Sequence, residues 1–108
     1  MTDNNSPGLA HIVFFTLKNR DPAAHASFVD ACKKYLRDHP GLAHFSVGLR
    51  ATDYDRPVND TNHDVAVHLV FNCESDHDRY QVSERHQQFL AEQSSNWSEV
   101  RIFDALIA

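Results

Sequence analysis

Two side chains that can transfer protons, Tyr80 and His86, lie six residues apart in the last third of this chain of 108 residues. A histidine that titrates near neutral pH can take a proton from a hydroxyl group or a carbon acid, and a nearby tyrosine can orient it or donate a hydrogen bond to a developing enolate. This chemistry suits aldol-type, isomerising or cyclising reactions that need no cofactor. Six residues of regular helix place two side chains roughly 120° apart, so the pair can converge only if the helix breaks near Ser83.

A second pair, His11 and Asp104, comes from the two strands predicted at the ends of the domain. Because side chains alternate along a strand, His11 shares a face with Val13 and Phe15. Asp104 shares a face with Ile102 in the same way. If the two strands are antiparallel neighbours, His11 and Asp104 can form a hydrogen bond. That hydrogen bond could be structural, or it could orient His11 for a function in a pocket.

Each of these side chains also has a structural interpretation. His86 shares its helix face with Phe89 and Leu90, and a histidine on an apolar face is often a hydrogen-bonded core residue. Tyr80 could anchor the same helix by burying its ring. Three classes of function therefore remain open: a small-molecule enzyme that uses His86 with Tyr80, a non-catalytic ligand-binding or stress-response protein, and a structural homo-oligomer whose pocket is only packing.

The sequence lacks the residue patterns that metal sites and cofactor-binding sites require. Three glycines are too few and too scattered for a phosphate-binding loop, and no nucleotide or flavin motif is present. The histidines outside the two pairs and the central strands have no tight ligand spacing, so we expect neither a metal nor a cofactor. They are predicted on loops and exposed positions: His25, His39, His44, His63 and His77.

Charge and composition narrow the class of partner. The formal net charge is −5, and the scattered lysines and arginines form no basic stripe for nucleic acid and no polybasic patch for a membrane. No apolar run is long enough to span a bilayer, and the first eight residues do not resemble a signal peptide. The two cysteines lack Cys-x-x-Cys spacing, which predicts buried free thiols. We expect a cytoplasmic protein that binds a second copy of itself and a small apolar or aromatic ligand.

The sequence predicts a disordered tail over residues 1 to 8 and a single domain over residues 9 to 108. Hydrophobic periodicity in that domain predicts the order strand, helix, strand, strand, helix, strand. Asp21 and Pro22 are expected to begin the first helix, and Ser75 to cap the second. A polar connection over residues 51 to 62 is expected to be mobile and is a candidate lid. The predicted strands span residues 9 to 17, 42 to 49, 63 to 71 and 99 to 106.

The first and third strands are apolar on both faces, which is typical of central strands. The expected class is therefore α+β: a ferredoxin-like βαββαβ fold with a four-stranded antiparallel sheet, strand order 4-1-3-2, and two helices on one face. His68 is expected to face the helices. The other face needs a second copy to cover it, so we expect a homodimer through the sheet face. The residues expected on that face are Val13, Phe15, Val67, Leu69 and Ile102.

Several short motifs, in their order and spacing, resemble the stress-responsive A/B barrel domain family. The resemblance implies two sheets that face each other across a twofold axis as a dimeric α/β barrel, with a pocket in each subunit. The motifs are His11-Ile12-Val13-Phe14, Pro40-Gly41, Phe45-Ser46-Val47-Gly48, Asp64-Val65-Ala66-Val67 with Phe71, and Trp97 with Ile102-Phe103-Asp104.

The same resemblance implies a set of site residues. Tyr80 and His86 match the catalytic pair of a polyketide cyclase in this family, and His11 matches a histidine at the mouth of its pocket. Val65 stands where that cyclase has a further pocket histidine. The residues expected to line the pocket are His11, Val13, Phe15, Val65, Val67, Phe89, Trp97, Ile102 and Asp104.

Overall fold

The computed structural model describes residues 6 to 108, which contain four strands and three α-helices. The predicted order of elements is confirmed, except that the second helix is divided into two. Within these residues, no helix is long and apolar enough to cross a membrane. The bounds are β1 Leu9–Leu17, α1 Pro22–Leu36, β2 Leu42–Leu49, β3 Val65–Phe71, α2 Glu74–Gln81, α3 Glu84–Gln93, a 3-10 turn Ser94–Asn96, and β4 Trp97–Leu106.

The four strands form one antiparallel sheet in the order β2-β3-β1-β4. This is the predicted order 4-1-3-2 read from the opposite edge, so the ferredoxin-like fold is confirmed. The two strands that are apolar on both faces, β1 and β3, lie at the centre, where both faces are covered best. In the register of the sheet, Val13 lies between Val67 of β3 and Ile102 of β4.

The two ends of α1 follow their sequence signals. An Asp21 carboxylate oxygen accepts a hydrogen bond from the Ala24 N–H at 2.8 Å, and Pro22 stands in the first turn. After the helix, Gly41 adopts a left-handed φ of +78°. A side chain there would also collide with Asp76, whose carboxyl carbon lies 2.1 Å from the position of a Cβ atom. Glycine is therefore required at this turn.

Three predicted boundaries are wrong. α2 begins at Glu74 with Cys73 as its N-cap residue, so Ser75 lies inside the first turn and its hydroxyl contacts the Cys73 sulfur at 3.1 Å. β4 begins at Trp97 rather than residue 99, because Leu17 pairs with Trp97 across an irregularity in the ladder. β3 begins at Val65 rather than residue 63. The two cysteines are free and buried, as expected.

The helices cover the sheet face that was expected to be open. Phe15 packs against Phe28 of α1, with ring centroids 4.8 Å apart, and against Phe89 of α3 at 6.4 Å. The expectation was wrong because β1 and β3 are apolar on both faces, and alternation alone cannot tell which face the helices cover. The misassigned residues are Val13, Phe15, Val67, Leu69 and Ile102.

The opposite side of the sheet, here called the open face, has no helix over it among residues 6 to 108. Phe103, on the edge strand β4 beside Ile12, keeps 52% of its surface exposed. His68 lies on this face, exposed and with its ring 5.2 Å from the ring of His44, so the expectation that it faces the helices was wrong. The apolar residues of the open face are Ala10, Ile12, Phe14, Ala66, Val70, Phe103 and Ala105.

The connection over residues 51 to 62 consists of turns and exposed side chains. Two residues of β4 hold this segment. Arg101 forms an ion pair with the Asp60 carboxylate, and the Glu99 carboxylate accepts a hydrogen bond from the Asn62 amide. Arg101 lies opposite Phe14 on the open face. The segment therefore contacts the sheet on the side away from the helices, which does not support a lid over the helix side.

The start of the described chain lies against its end. The Gly8 carbonyl oxygen accepts a hydrogen bond from the Ile107 N–H at 2.8 Å. Residues 1 to 5 of the predicted disordered tail lie outside the described residues. The division into a tail and a domain beginning at residue 9 stays a prediction.

Candidate functional site

The helix that carries Tyr80 and His86 breaks at Ser83, as their convergence requires. α2 ends at Gln81 and α3 begins at Glu84. The Ser83 hydroxyl donates to the Tyr80 carbonyl oxygen at 2.8 Å and accepts from the His86 N–H at 3.2 Å. The change of helix direction brings the Tyr80 and His86 rings to a centroid separation of 4.8 Å, edge to face.

Replacing Ser83 by alanine should loosen this junction. Loss of the N-cap hydroxyl should lower the free energy of unfolding by about 1 kcal/mol. Denaturant unfolding measures the loss, and Ser27→Ala on the exposed side of α1 is the matched control. If the two variants lose stability equally, Ser83 does not hold the junction.

Tyr80 and His86 face a cavity of about 200 Å³ between the helices and the sheet. Its walls are mostly apolar, and its polar groups are the side chains of His11, Tyr80, Gln81 and His86 and the indole nitrogen of Trp97. The residues that were expected to line a pocket and do so are His11, Val13, Phe15, Val67, Phe89, Trp97 and Ile102.

Two expected pocket residues, Val65 and Asp104, lie outside this lining. Val65 is wholly buried at the start of β3, opposite Phe15. Asp104 lies opposite His11 in the β1–β4 ladder, and it meets the cavity only through that histidine. Both strands present these positions to the helix side of the sheet, but the cavity does not extend to them.

His11 and Asp104 form the predicted pair. The His11 Nδ1 atom is 2.5 Å from an Asp104 carboxylate oxygen, and because a carboxylate only accepts, Nδ1 donates. The His11 side chain is 5% exposed and the Asp104 side chain 45%. Burial lowers the pKa of His11, while the hydrogen bond and charge of Asp104 oppose that shift. The carboxylate therefore holds one tautomer of His11, with the proton on Nδ1 and the lone pair on Nε2.

Three imidazole rings, those of His11, His39 and His86, lie around the phenol ring of Tyr80, and a fourth, that of His77, lies against His11. The centroid separations from Tyr80 are 4.8 Å for His39 and 6.1 Å for His11, and the tilted ring of His77 lies 4.9 Å from that of His11. Burial raises the pKa of Tyr80, so its hydroxyl stays protonated at neutral pH. Burial, followed by the neighbouring imidazoles of His11 and His39, lowers the pKa of His86 to about 4.

Two histidines in this group were missed by the sequence analysis. His39 and His77 were assigned to loops and exposed positions, but His39 is buried, with Nε2 donating to the Tyr35 carbonyl oxygen at 2.7 Å. His77 lies on α2 three residues before Tyr80 and is partly buried. The helical spacing of His77 and Tyr80 was the available signal, since residues three apart share a helix face.

Two polar atoms of cavity-lining residues, His86 Nδ1 and Trp97 Nε1, are buried and have no hydrogen-bond partner among residues 6 to 108. An unpaired buried polar atom costs about 1–3 kcal/mol. Such atoms are uncommon in folded proteins, and two of the three among residues 6 to 108 belong to this cavity, the third being His25 Nε2.

Two other buried carboxylates belong to the architecture and not to this cavity. Asp64 accepts from the Leu17 N–H at 2.9 Å and from the Arg20 guanidinium, and although burial would raise its pKa, these bonds hold it below its ordinary value. Asp76 pairs with Arg79 at 2.5 Å. The first ion pair joins the residue before β3 to the segment after β1, whereas the second lies within α2.

The buried histidines should make the fold sensitive to acid. His86 has a pKa of about 4 when folded and about 6.5 when unfolded, so its contribution to stability is complete above pH 6.5 and is lost as the pH falls toward 4. The groups that face it are His11 on β1, His39 before β2, and His77 and Tyr80 on α2. For each extra proton that the unfolded chain binds, the free energy of unfolding falls by about 1.4 kcal/mol per unit decrease in pH.

Denaturant unfolding between pH 8 and 4, in the presence of a chelator, measures this slope. His86→Phe should make it shallower, because it removes one proton-binding group. His68→Phe on the open face serves as the control. A stability that is flat between pH 7 and 5, or a slope that His86→Phe leaves unchanged, would contradict the expectation.

Solved structures from several organisms share this fold. A Dabb family protein with a ferredoxin-like fold from Mesorhizobium loti is 20% identical, with a TM-score of 0.79 over 95% of this chain and 99% of that one. A dimeric ferredoxin-like protein of unknown function from Thermobifida fusca is 19% identical, with a TM-score of 0.76 and 99% of each chain covered. A hydroxynitrile lyase from Passiflora edulis is 17% identical, with a TM-score of 0.74 and 94% of each chain covered.

These identities are low, so the likeness shows the fold alone. No curated protein matches the chain. The family model described as the stress responsive A/B barrel domain matches residues 9–107. Since that match spans nearly all of the chain, the protein belongs to the stress responsive A/B barrel domain family.

Proposed function

We propose that this protein catalyses proton transfer on a small organic molecule bound in the cavity between its helices and its sheet, using His11 as the base and Tyr80 as the hydrogen-bond donor. The observation that carries the proposal is the hydrogen bond between His11 Nδ1 and Asp104, on a histidine that lines the cavity beside Tyr80. A base whose tautomer is held by a carboxylate is a recurrent catalytic arrangement.

His11 suits the role of base better than His86, the residue that the sequence hypothesis chose. Asp104 leaves the His11 Nε2 lone pair free for a substrate and stabilises the imidazolium that proton transfer would create. His86 has a pKa of about 4, which makes it a weak base at neutral pH. Its edge-to-face contact with Tyr80 suits a role in orienting the phenol.

Tyr80 suits the role of donor because it remains protonated. Its pKa is raised by burial, and its ring is held between His39 and His86. When a base removes a proton from a hydroxyl group or from carbon next to a carbonyl group, negative charge develops on oxygen. A fixed phenol hydroxyl in a site of low dielectric stabilises that charge.

The cavity limits the size of the ligand. A cavity of about 150 Å³ with apolar walls binds benzene in another protein, and the cavity here is about 200 Å³. The aromatic wall formed by Phe15, Phe89 and Trp97 suits an aromatic or branched apolar group. The substrate would then present its reacting group to His11 and Tyr80.

One structural neighbour offers a reaction to try first. The Passiflora edulis protein is a hydroxynitrile lyase by name. Cleaving a hydroxynitrile removes a proton from its hydroxyl group, breaks the bond to the cyanide carbon and leaves a carbonyl compound and hydrogen cyanide. A base and a hydrogen-bond donor of the kind described above are the groups that this reaction needs.

Two assays test the proposal. The first follows benzaldehyde released from mandelonitrile, and the second uses NMR in deuterium oxide to follow exchange at the methyl group of acetophenone. A rate above the uncatalysed one in either assay, dependent on His11, is the expected result. Binding of both compounds in the cavity with neither reaction would favour the alternative, a non-catalytic ligand-binding or stress-response protein.

We also infer that the protein is a homodimer through the open face. An apolar patch on that face, formed by Ile12 and Phe14 of β1 and Phe103 of β4, would otherwise be left partly exposed to water. Similar structures from Thermobifida fusca and Jannaschia are described as dimeric. The cavity lies on the other side of the sheet, so each subunit would keep its own pocket.

A further inference from the structure

Three potential metal ligands meet at the edge of the cavity. One ligand atom from each of His11, His77 and Asp104 lies within 4.8 Å of the other two. Two imidazole nitrogens and one carboxylate oxygen are a donor set that suits zinc and similar divalent transition metals. The spacing along the sequence gave no sign of this set, because its members come from β1, α2 and β4.

We propose that His11, His77 and Asp104 form a binding site for a divalent transition metal such as Zn²⁺, and that metal binding there switches off the acid–base site. The inhibitory part rests on the proposed function, whereas the binding site itself does not. At these three residues the proposal replaces the expectation of no metal.

His77 already has the tautomer that a metal ligand needs. The Asp78 carboxylate lies 3.2 Å from His77 Nδ1 and can only accept, so Nδ1 carries the proton and Nε2 the lone pair. The Gln81 amide nitrogen, 3.2 Å from that Nε2, donates to it and would give way to the metal. A carboxylate behind a ligating histidine is the usual second partner in zinc sites.

Asp104 has the freedom that the site requires. Ligand atoms about 2.0–2.1 Å from a tetrahedral zinc ion lie about 3.3 Å from one another, so the 2.5 Å contact between His11 and Asp104 must open. The Asp104 side chain is 45% exposed on the edge strand β4 and can turn, while His11 stays buried. A water molecule would complete the coordination. The metal would therefore keep one exchangeable coordination position beside the cavity.

Metal binding would remove the base by moving a proton. If His11 Nδ1 binds the metal, the proton that it now gives to Asp104 must transfer to Nε2, with no change in the total number of protons. Nε2 is the atom that the proposed reaction uses to accept a proton. His11 would then be a donor instead of a base, so the metal should inhibit without blocking the cavity.

Calorimetric titration of the metal-free protein with ZnCl₂ tests the site without any substrate. We expect one zinc ion per chain at micromolar or lower dissociation constant, with changes in the NMR signals of the His11 and His77 rings. His77→Ala should weaken binding at least tenfold. His68→Ala is the matched control, because His68 and His44 form the exposed histidine pair of the open face.

The same variants separate the metal site from the proposed function. His77→Ala should stay active in the mandelonitrile or acetophenone assay and lose its inhibition by zinc. If zinc binds but no activity is found, the metal site is supported and the proposed proton transfer is refuted. No binding to the folded wild-type protein, or binding that His68→Ala removes and His77→Ala does not, would overturn the site.

Discussion

Replacing His11 by glutamine should lower the rate of the proposed proton transfer by about 100-fold or more. General-base catalysis by a positioned side chain contributes about 10²–10⁴ to a rate, and glutamine cannot accept the proton. Glutamine can still donate to Asp104, so the pair keeps a hydrogen bond and the fold should survive. The rate constant for mandelonitrile cleavage or for deuterium exchange in acetophenone is the quantity to measure, with thermal unfolding as the check on the fold.

Two further variants assign the roles. His86→Gln should reduce the rate less than His11→Gln does, because His86 orients Tyr80 and its pKa of about 4 makes it a poor base. If His86→Gln abolishes the reaction and His11→Gln does not, the base is His86, as the sequence hypothesis had it. His68→Gln on the open face controls for the loss of any histidine.

Asp104 acts through His11, so its variant needs a different measurement. Asp104→Asn should lower the rate constant more than it changes the Michaelis constant, because the substrate still fits the cavity. The NMR signal of the His11 Nδ1 proton should move in the same variant, since its acceptor has lost its charge. A lower rate with an unchanged His11 signal would mean that Asp104 acts in some other way.

The second large effect expected is on assembly: Phe103→Asp should weaken the homodimer by at least about 100-fold in dissociation constant. An unpaired carboxylate buried in an apolar interface costs about 3–5 kcal/mol, and a twofold interface buries two of them. Because Phe103 is 52% exposed in the single chain, its replacement should leave each subunit folded. Sedimentation velocity across a range of protein concentrations measures the change.

Val82→Asp is the matched control for this experiment. Val82 is 74% exposed, and it lies at the junction of α2 and α3, away from the open face. Its variant should sediment like the wild type. Dimers of unchanged strength in Phe103→Asp, or a wild-type protein that remains monomeric at micromolar concentration, would exclude the open face as the interface.

Much of the fold follows from local signals that act over a few residues. Asp21 and Pro22 begin α1, and Gly41 permits the turn that follows it, because caps and turns depend on the chemistry of single side chains. Strands that are apolar on both faces belong at the centre of a sheet, so the strand order was predictable too. The side of the sheet that the helices cover was not, since Val13 and Phe14 are both apolar and either could lie beneath them.

The candidate site divides in the same way. By itself, the sequence determined which residues have proton-transfer chemistry and, through strand alternation, that His11 and Asp104 could pair. Only the tertiary structure decided that Ser83 divides the helix and turns His86 toward Tyr80. Only the packing of α2 against the sheet brought His77 to His11, because that contact joins residues far apart in the chain. Alternation and spacing describe one element at a time, whereas a site depends on how separate elements pack.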